Sequence, residues 1–405
     1  MSGPSITCSS TNRPQLAPRA LDALDPELRF FHDRAVTTAR HTAVFNTNFL
    51  PYSQTFVYEQ LVNHVRYQAE VFCWRTENLD WFPYEKVHRA NAAYGATRIS
   101  PAFYRRFREK RFDIVHGHFA TGAVYALPYV QRFKLPLVVT FHGYDVPLLW
   151  NTRRFHPHFW PFLLHGKRVL ERMTLGLCAS NDLKELLLSY GVPEEKLRIH
   201  RLGIDLERFQ QKANGSGSPL RVCVIGRFAE QKGIEYAIRA FAPHASEDVR
   251  LDIIGDGPMA DDFHALVDRL GIGRFVSFLG VLHPDQVSEH LKTCDVLLAP
   301  SVVTRIGERE SGLIVAKEAG ACGLPVVGTV HGGLPEIIDE GVTGFLVQER
   351  DVGALSDRLG TLLADEALRQ RMGVAARAKM EREYNVRERV SELEDLYDEA
   401  IERFH

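Results

Sequence analysis

The chain has 405 residues, a formal net charge of −2, and 45% hydrophobic and 25% charged residues. This length exceeds what one ordinary hydrophobic core accommodates, so it predicts two globular domains. The near-neutral charge gives no reason to expect nucleic acid as a partner. The six cysteines lack the paired spacing of a zinc site or a disulfide framework, which favours a reduced, cytoplasmic setting.

No apolar run is long enough to span a membrane, and the N-terminus lacks the apolar segment of a signal peptide. We therefore expect residues 1–40 to form a loosely ordered extension of the first domain. Residues 103–112 interleave basic residues with phenylalanines. This stretch fits either a membrane-surface patch, with the protein at the inner face of a membrane, or a solvated basic helix whose phenylalanines face the core.

Residues 41–212 predict a first domain in which strands alternate with helices, which is typical of an open, mostly parallel sheet. In such sheets, ligands bind beyond the carboxyl ends of the strands, where His118, His142 and Asp145 occur. We expect His116 and His118 to face opposite sides of their strand, so only His118 is assigned to the cleft. His142 fits either a substrate-binding histidine or one bonded to backbone.

Residues 210–219 form the clearest linker in the chain, and a second set of strands and helices follows over residues 213–384. The whole chain therefore predicts an α/β protein with two doubly wound domains and a cleft between them as the binding site. Residues 385–405 predict a final helix, because their apolar residues recur at helical spacing.

A loop with two cations and two glycines, Gly226-Arg227 to Lys232-Gly233, follows the first strand of the second domain. Such a loop suits a diphosphate, although basic loop residues are more often plain surface charges. A Gly-x-Gly-x-x-Gly turn is missing there, which counts against a dinucleotide. The sequence also has no Asp-x-Asp triplet, so we expect no metal cofactor.

Two carboxylates, Glu310 and Glu318, flank an apolar run that predicts a short helix. The helix is predicted to begin at Ser311 or Gly312 and to end before Gly323. Its N-terminus favours an anion such as a diphosphate, which would place a bound sugar near Glu310 and a ribose near Glu318. Alone, such a pair fits solvated carboxylates on an ordinary helix better.

Taken together, these motifs resemble the retaining glycosyltransferase family 4 of GT-B fold, with two Rossmann-like domains facing a central cleft. The resemblance covers nearly all of the second domain, through Gly226-Arg-x₄-Lys-Gly, Ile254-Gly-Asp-Gly-Pro, Glu310-x₇-Glu318-Ala and Gly323-x-Pro-Val-Val. First-domain motifs such as Pro51-x-Ser-Gln-Thr-Phe and Thr140-Phe-His-Gly-Tyr-Asp resemble the branch that builds exopolysaccharides and other surface glycans.

The resemblance implies a role for each matching residue. The transferred sugar would meet His142 from the first domain and Glu310 from the second, and Glu318 would bind the ribose. The other donor contacts it implies are the phosphate-binding Gly226, Arg227 and Lys232, the backbone of Gly312, Leu313 and Ile314, and the backbone near Val281 for the nucleobase. On the first domain, Ser53, Gln54 and Thr55 would contact acceptor or donor, and the final helix would cross back to pack there.

One departure from the family pattern concerns the corner after Glu310. The family usually has glycine at this position, whereas this chain has Ser311, with Gly312 one residue later.

From the resemblance as a whole, we expect a glycosyltransferase that uses a UDP- or GDP-type sugar and an acceptor that is a glycan, a lipid-linked glycan or a small molecule. The alternatives are a sugar phosphorylase, a disaccharide synthase or a non-catalytic sugar-binding protein.

Overall fold

The computed structural model describes residues 40–91, 94–143, 145–148, 160–211 and 217–405. The predicted N-terminal extension, apart from Arg40, lies outside the described residues, as does part of the predicted linker. Two parallel β-sheets, one on each side of that linker, form the framework of the molecule.

The first sheet has seven strands in the order β3-β2-β1-β4-β5-β6-β7. Its central strands β4 and β5 are buried along their whole length because helices cover both faces of a parallel sheet. The strands are β1 Arg40–Phe49, β2 Tyr67–Thr76, β3 Val87–Arg89, β4 Ile114–His118, β5 Leu137–Phe141, β6 Leu175–Cys178 and β7 Leu197–Ile199. The α-helices of this part are Thr55–Val62, Tyr94–Thr97, Pro101–Glu109, Phe119–Phe133, Asp145–Leu148, Trp160–Arg172 and Asn181–Ser189.

The second sheet has six strands in the order β10-β9-β8-β11-β12-β13, which is the Rossmann order. Its strands are β8 Leu220–Ile225, β9 Val249–Ile254, β10 Val276–Gly280, β11 Val296–Ala299, β12 Val326–Thr329 and β13 Gly344–Val347. The helices are Ile234–Phe241, Ala260–Arg269, Pro284–Leu291, Ile314–Ala321, Leu334–Ile337, Val352–Ala364, Glu366–Glu383 and Val386–Phe404. Strand order reverses between β8 and β11, so the crevice for a ligand lies beyond their carboxyl ends.

In the part of the chain that the structure describes, two segments that connect the sheets lie side by side. The N–H of Ile204 donates to the carbonyl of Tyr384, and the N–H of Val386 donates to the carbonyl of Ile204. A Cβ at Gly203 would lie 2.5 Å from Cα of Val386, so the two backbones approach too closely for any other residue. This close pairing joins the two domains at one point.

The final helix, Val386–Phe404, packs against the first sheet rather than the second. Its buried residues Leu393, Tyr397 and Ala400 form one apolar cluster with residues of the first-sheet strands. The carboxylate of Glu394 accepts the backbone N–H groups of residues 65 and 66 at 2.8 and 2.9 Å. Asn385 caps the helix by accepting the N–H of Arg387.

The basic stretch at residues 103–112 lies mostly in the helix Pro101–Glu109. Phe103 and Phe107 are buried in the first core, and Arg106 pairs with Glu70 at 2.7 Å. The phenylalanines therefore face the core, while Arg105, Arg108 and Arg111 are exposed. Across the described ranges, we find no helix with the length and apolar character needed to cross a bilayer.

Candidate functional site

The loop after β8 presents Lys232 at the point where the strand order reverses. Gly233 has φ 63°, and a Cβ there would lie 1.8 Å from the carbonyl oxygen of Pro300, so only glycine lets this loop sit against the end of β11. Nζ of Lys232 lies 2.8 Å from a carboxylate oxygen of Glu310. Arg227, at the start of the loop, is exposed. The structure thus brings Lys232 and Glu310 together at the crevice.

The backbone of Glu310 is held by a histidine that the sequence analysis missed. The N–H of Glu310 donates to Nε2 of His331 at 2.9 Å, which requires that nitrogen to be unprotonated. Nδ1 of His331 lies 2.7 Å from the carboxylate of Glu349 and therefore carries the proton. His331 lies two residues beyond the carboxyl end of β12, and that position was the available signal in the sequence.

The helix that carries Glu318 begins later than predicted. It runs from Ile314 to Ala321, and Leu313 before it adopts a left-handed conformation with φ 42°. The predicted start at Ser311 or Gly312 is wrong, because these residues are held against the first domain and Leu313 then reverses the chain. The helix ends where predicted, before Gly323 with φ 76°. N–H groups without an intrahelical acceptor therefore begin at Ile314.

Glu318 lines a small pocket of about 20 Å³ between the two domains. Burial raises the pKa of Glu318 to about 7, while the positive charges of Arg208 and Lys232 oppose that rise. The guanidinium of Arg208 lies 2.6 Å from Glu59 of the first domain and 3.1 Å from Asp285 of the second. The other residues lining the pocket are Thr55, Phe56, Gly203, Ile204, Asp205, Phe209, Pro284 and Ile314.

His116 and His118 face the same side of β4, so the expectation that they face opposite sides is wrong. Residues two apart on a strand share one face. The two ring centroids are 4.3 Å apart. His116 is bonded on both nitrogens, to the hydroxyls of Tyr397 at 2.6 Å and Thr140 at 2.7 Å, which gives it a structural role.

His118 and His142 meet at the carboxyl ends of β4 and β5. Nδ1 of His118 lies 3.3 Å from Nε2 of His142. The His142 ring also packs between Phe56 and Phe119, with centroids 4.7 and 4.3 Å away. Burial lowers the pKa of both histidines, to about 3 for His118, so both are neutral at physiological pH. Nδ1 of His142 is buried and has no hydrogen-bond partner among the described residues.

Asp145 orders the loop that carries His142. Its carboxylate accepts the N–H groups of Ala120 at 2.8 Å and of His142 and Gly143 at 3.0 Å each. Burial raises the pKa of Asp145 to about 6 even though these hydrogen bonds lower it. Asp145 therefore shapes the loop rather than facing a ligand with its carboxylate, which is engaged with backbone.

The loops of His142 and Glu310 meet across the cleft. A Cβ at Gly143 would lie 2.6 Å from the carbonyl oxygen of Arg309. The remaining predicted residues lie further out: Ser53 and Val281 are exposed, and Gln54 accepts a hydrogen bond from Asn46 at 3.0 Å. Within the described ranges, no group of three or more His, Cys, Asp or Glu side chains has the arrangement of a metal site.

Comparison with known proteins identifies the class. Residues 62–208 match Glycosyltransferase Family 4, and residues 206–379 match Glycosyl transferases group 1. A solved structure of HepE from Anabaena in complex with UDP superposes with a TM-score of 0.71 at 18% identity, covering 89% of this chain and all of that one. The protein is thus a glycosyltransferase of GT-B fold, as predicted.

The relatives identify the family. A putative colanic acid biosynthesis glycosyltransferase of Salmonella typhimurium is 30% identical over 281 residues, 67% of each chain. The N-acetyl-α-D-glucosaminyl L-malate synthase of Bacillus anthracis is 28% identical, covering 89% of this chain and 90% of the other. The chain belongs to glycosyltransferase family 4, and the first relative agrees with the predicted surface-glycan branch.

Proposed function

We propose that the protein is a retaining glycosyltransferase that moves a sugar from a UDP- or GDP-type nucleotide sugar to an acceptor hydroxyl in glycan biosynthesis. The observation that carries this proposal is the pair formed by Lys232 and Glu310 at 2.8 Å. This pair lies at the switch point of the second sheet, where nucleotides bind in such folds, and the loop of His142 faces it from the first domain.

In the proposed reaction, the bond between the anomeric carbon and the diphosphate oxygen breaks, and a bond to the acceptor oxygen forms on the same face of the sugar. The acceptor hydroxyl gives its proton to the departing diphosphate. Lys232, Arg227 and the N–H groups at the start of the helix Ile314–Ala321 stabilise the charge on that diphosphate. Closure of the cleft excludes water, which would otherwise compete with the acceptor.

The other candidate residues bind and orient the donor in this proposal. Glu318 accepts hydrogen bonds from the ribose hydroxyls, and the backbone around Val281 contacts the nucleobase. Glu310 contacts the transferred sugar and pairs with Lys232 at 2.8 Å. Nδ1 of His142, which is buried without a partner, is the first-domain group that a hydroxyl of this sugar would meet.

We also propose that catalysis needs no metal and takes place on the cytoplasmic side, acting on a glycan or lipid-linked acceptor. The two cations and the helix N-terminus supply positive charge where a metal would otherwise neutralise the diphosphate. Rates in the presence of excess EDTA and of added Mg²⁺ test this point. Equal rates support the proposal, and a loss of activity in EDTA that Mg²⁺ restores contradicts it.

The test of the main proposal is a transfer assay with a panel of UDP- and GDP-sugars on the wild type, Lys232→Ala and Glu310→Ala. The matched control is Lys292→Ala, which removes a surface lysine paired with Glu289 at 2.7 Å. We expect Lys232→Ala, which removes a charge-stabilising group, and Glu310→Ala, which removes a contact to the sugar, each to lose transfer by at least about 100-fold, and the control to retain it. NMR of the product reports whether the anomeric configuration is retained. Near-normal rates in both site variants would show that the site is wrongly assigned.

A second candidate acceptor is a small hydroxy acid. The N-acetyl-α-D-glucosaminyl L-malate synthase of Bacillus anthracis aligns over 90% of its length, whereas the colanic acid biosynthesis glycosyltransferase aligns over 67%, which favours this option. Adding L-malate to the same assay separates the two acceptor classes. Supplying inorganic phosphate with a disaccharide, and looking for a sugar phosphate, tests the phosphorylase alternative.

A further inference from the structure

Three consecutive residues, Arg309, Glu310 and Ser311, are bound alternately to the two domains. A guanidinium nitrogen of Arg309 lies 3.0 and 3.1 Å from the two carboxylate oxygens of Asp182 in the first domain. Glu310 pairs with Lys232 of the second domain. Oγ of Ser311 lies 3.1 Å from Oγ of Ser180, again in the first domain. The residue that faces the proposed sugar is thus flanked on both sides by cross-domain contacts.

The first-domain half of these contacts is the start of the helix Asn181–Ser189. Ser180 is its N-cap and accepts the N–H of Leu183 at 3.3 Å, and its hydroxyl can still bond Ser311 as donor or acceptor. Both serines are buried, at 1% and 2% exposure, so water does not replace this bond in the closed cleft. The hydroxyl of Ser180 is therefore placed to bind the hydroxyl of Ser311 across the cleft.

The corner at Glu310 also has little room to adjust on its own. A Cβ at Gly332 would lie 1.8 Å from the carbonyl oxygen of Glu310, and one at Gly333 would lie 2.4 Å from that of Ser311. Backbone of the second domain thus packs directly against this corner. We therefore expect a change at Arg309 or Ser311 to affect the Glu310 side chain more than the backbone of this corner.

We propose that Arg309 and Ser311 are positioning residues that dock on Asp182 and Ser180 and so orient Glu310 for the transferred sugar only when the cleft is closed. The inference rests on the proposed function and deepens it. It also explains the departure noted in the sequence, because glycine in place of Ser311 has no hydroxyl to bond Ser180. Closure and sugar orientation are then one event, which protects the donor from water before the acceptor is in place.

The test is a double-mutant cycle of Ser180→Ala, Ser311→Ala and the double variant, with Ser189→Ala at the exposed end of the same helix as control. Each single variant should lower kcat about fivefold, as for one lost hydrogen bond made in the transition state, with donor KM changed less than about twofold. The double variant should be no slower than Ser180→Ala, because Ser311→Ala removes only a bond that Ser180→Ala has already removed. The charge swap Arg309→Asp with Asp182→Arg should recover activity that each single change removes.

Multiplicative losses in the double variant, or unchanged kcat in the single variants, would overturn the proposal. Small-angle scattering tests the docking without any assay of transfer. The variant Arg309→Gln with Ser311→Ala should have a larger radius of gyration than the wild type, because the cleft opens. If the wild type transfers no sugar from any donor, the proposed function fails. Scattering then decides the docking alone, and an unchanged radius would refute it.

Discussion

Binding of the donor should depend on pH through Glu318, and Glu318→Gln should abolish that dependence. Burial raises the pKa of this carboxyl to about 7. The ionised form accepts stronger hydrogen bonds from the two ribose hydroxyls than the protonated form does, so affinity should increase as pH rises through 7. About one eleventh of the protein carries ionised Glu318 at pH 6 and about ten elevenths at pH 8, so the dissociation constant should fall about tenfold between these values, or ~1.4 kcal/mol.

The assay is titration calorimetry at pH 6, 7 and 8 with the nucleotide sugar found in the transfer screen. A nucleotide sugar is the right probe because both of its phosphates are esterified and do not titrate in this range. The Glu318→Gln variant should bind the donor more weakly than the wild type, with the same dissociation constant at all three pH values. Arg208→Gln should move the midpoint to higher pH, because the positive charge of Arg208 lowers the pKa of Glu318. Equal pH dependence in the wild type and Glu318→Gln would refute the reasoning.

Three further predictions concern stability, each measured by urea unfolding against the wild type. Burial lowers the pKa of Lys317 to about 7, so above that pH the unfolded chain binds more protons than the folded one. The free energy of unfolding of the wild type, relative to Lys317→Met, should therefore rise by about 2 kcal/mol from pH 7 to pH 9. A constant difference between the two proteins would contradict this. Gly233→Ala should cost at least about 2 kcal/mol, because its Cβ would meet the carbonyl oxygen of Pro300, and a stable variant would be unexpected. Tyr397→Phe should cost about 1–3 kcal/mol by leaving Nδ1 of His116 unpaired, and no loss would show that His116 finds another partner.

Much of the fold could be predicted from local patterns. Apolar runs bounded by glycine and proline indicated parallel strands, and their alternation with amphipathic segments indicated doubly wound sheets. A loop with two glycines was predicted after β8, and the structure shows that Gly233 in this loop is left-handed. Such features depend on neighbours in the sequence, so composition and spacing were sufficient to find them. Arguments of this kind do not reach contacts between distant segments.

The start of the helix that carries Glu318 shows where local reasoning failed. Ser311 is a good capping residue by type, but its hydroxyl is bonded to Ser180 at 3.1 Å, and the helix starts three residues later. The prediction for His116 and His118 of β4 was wrong for a different reason. Residues two apart on a strand share one face, so strand geometry alone would have placed the two side chains together. A cap is decided by whichever partner is nearest in space, and sequence does not reveal that partner.

The amino-acid sequence by itself determined that this chain is a two-domain α/β protein and which residue types are available to bind a nucleotide sugar. It indicated Lys232, Glu310 and Glu318 as binding residues, because charged side chains beside glycine at the end of a strand or helix are suited to bind a diphosphate or a sugar. Only the tertiary structure decided that Lys232 pairs with Glu310, that Arg208 joins both domains beside Glu318, and that His331 supports the Glu310 backbone. Each of these contacts joins segments that are far apart in the chain, and the topology of the fold decides which segments meet.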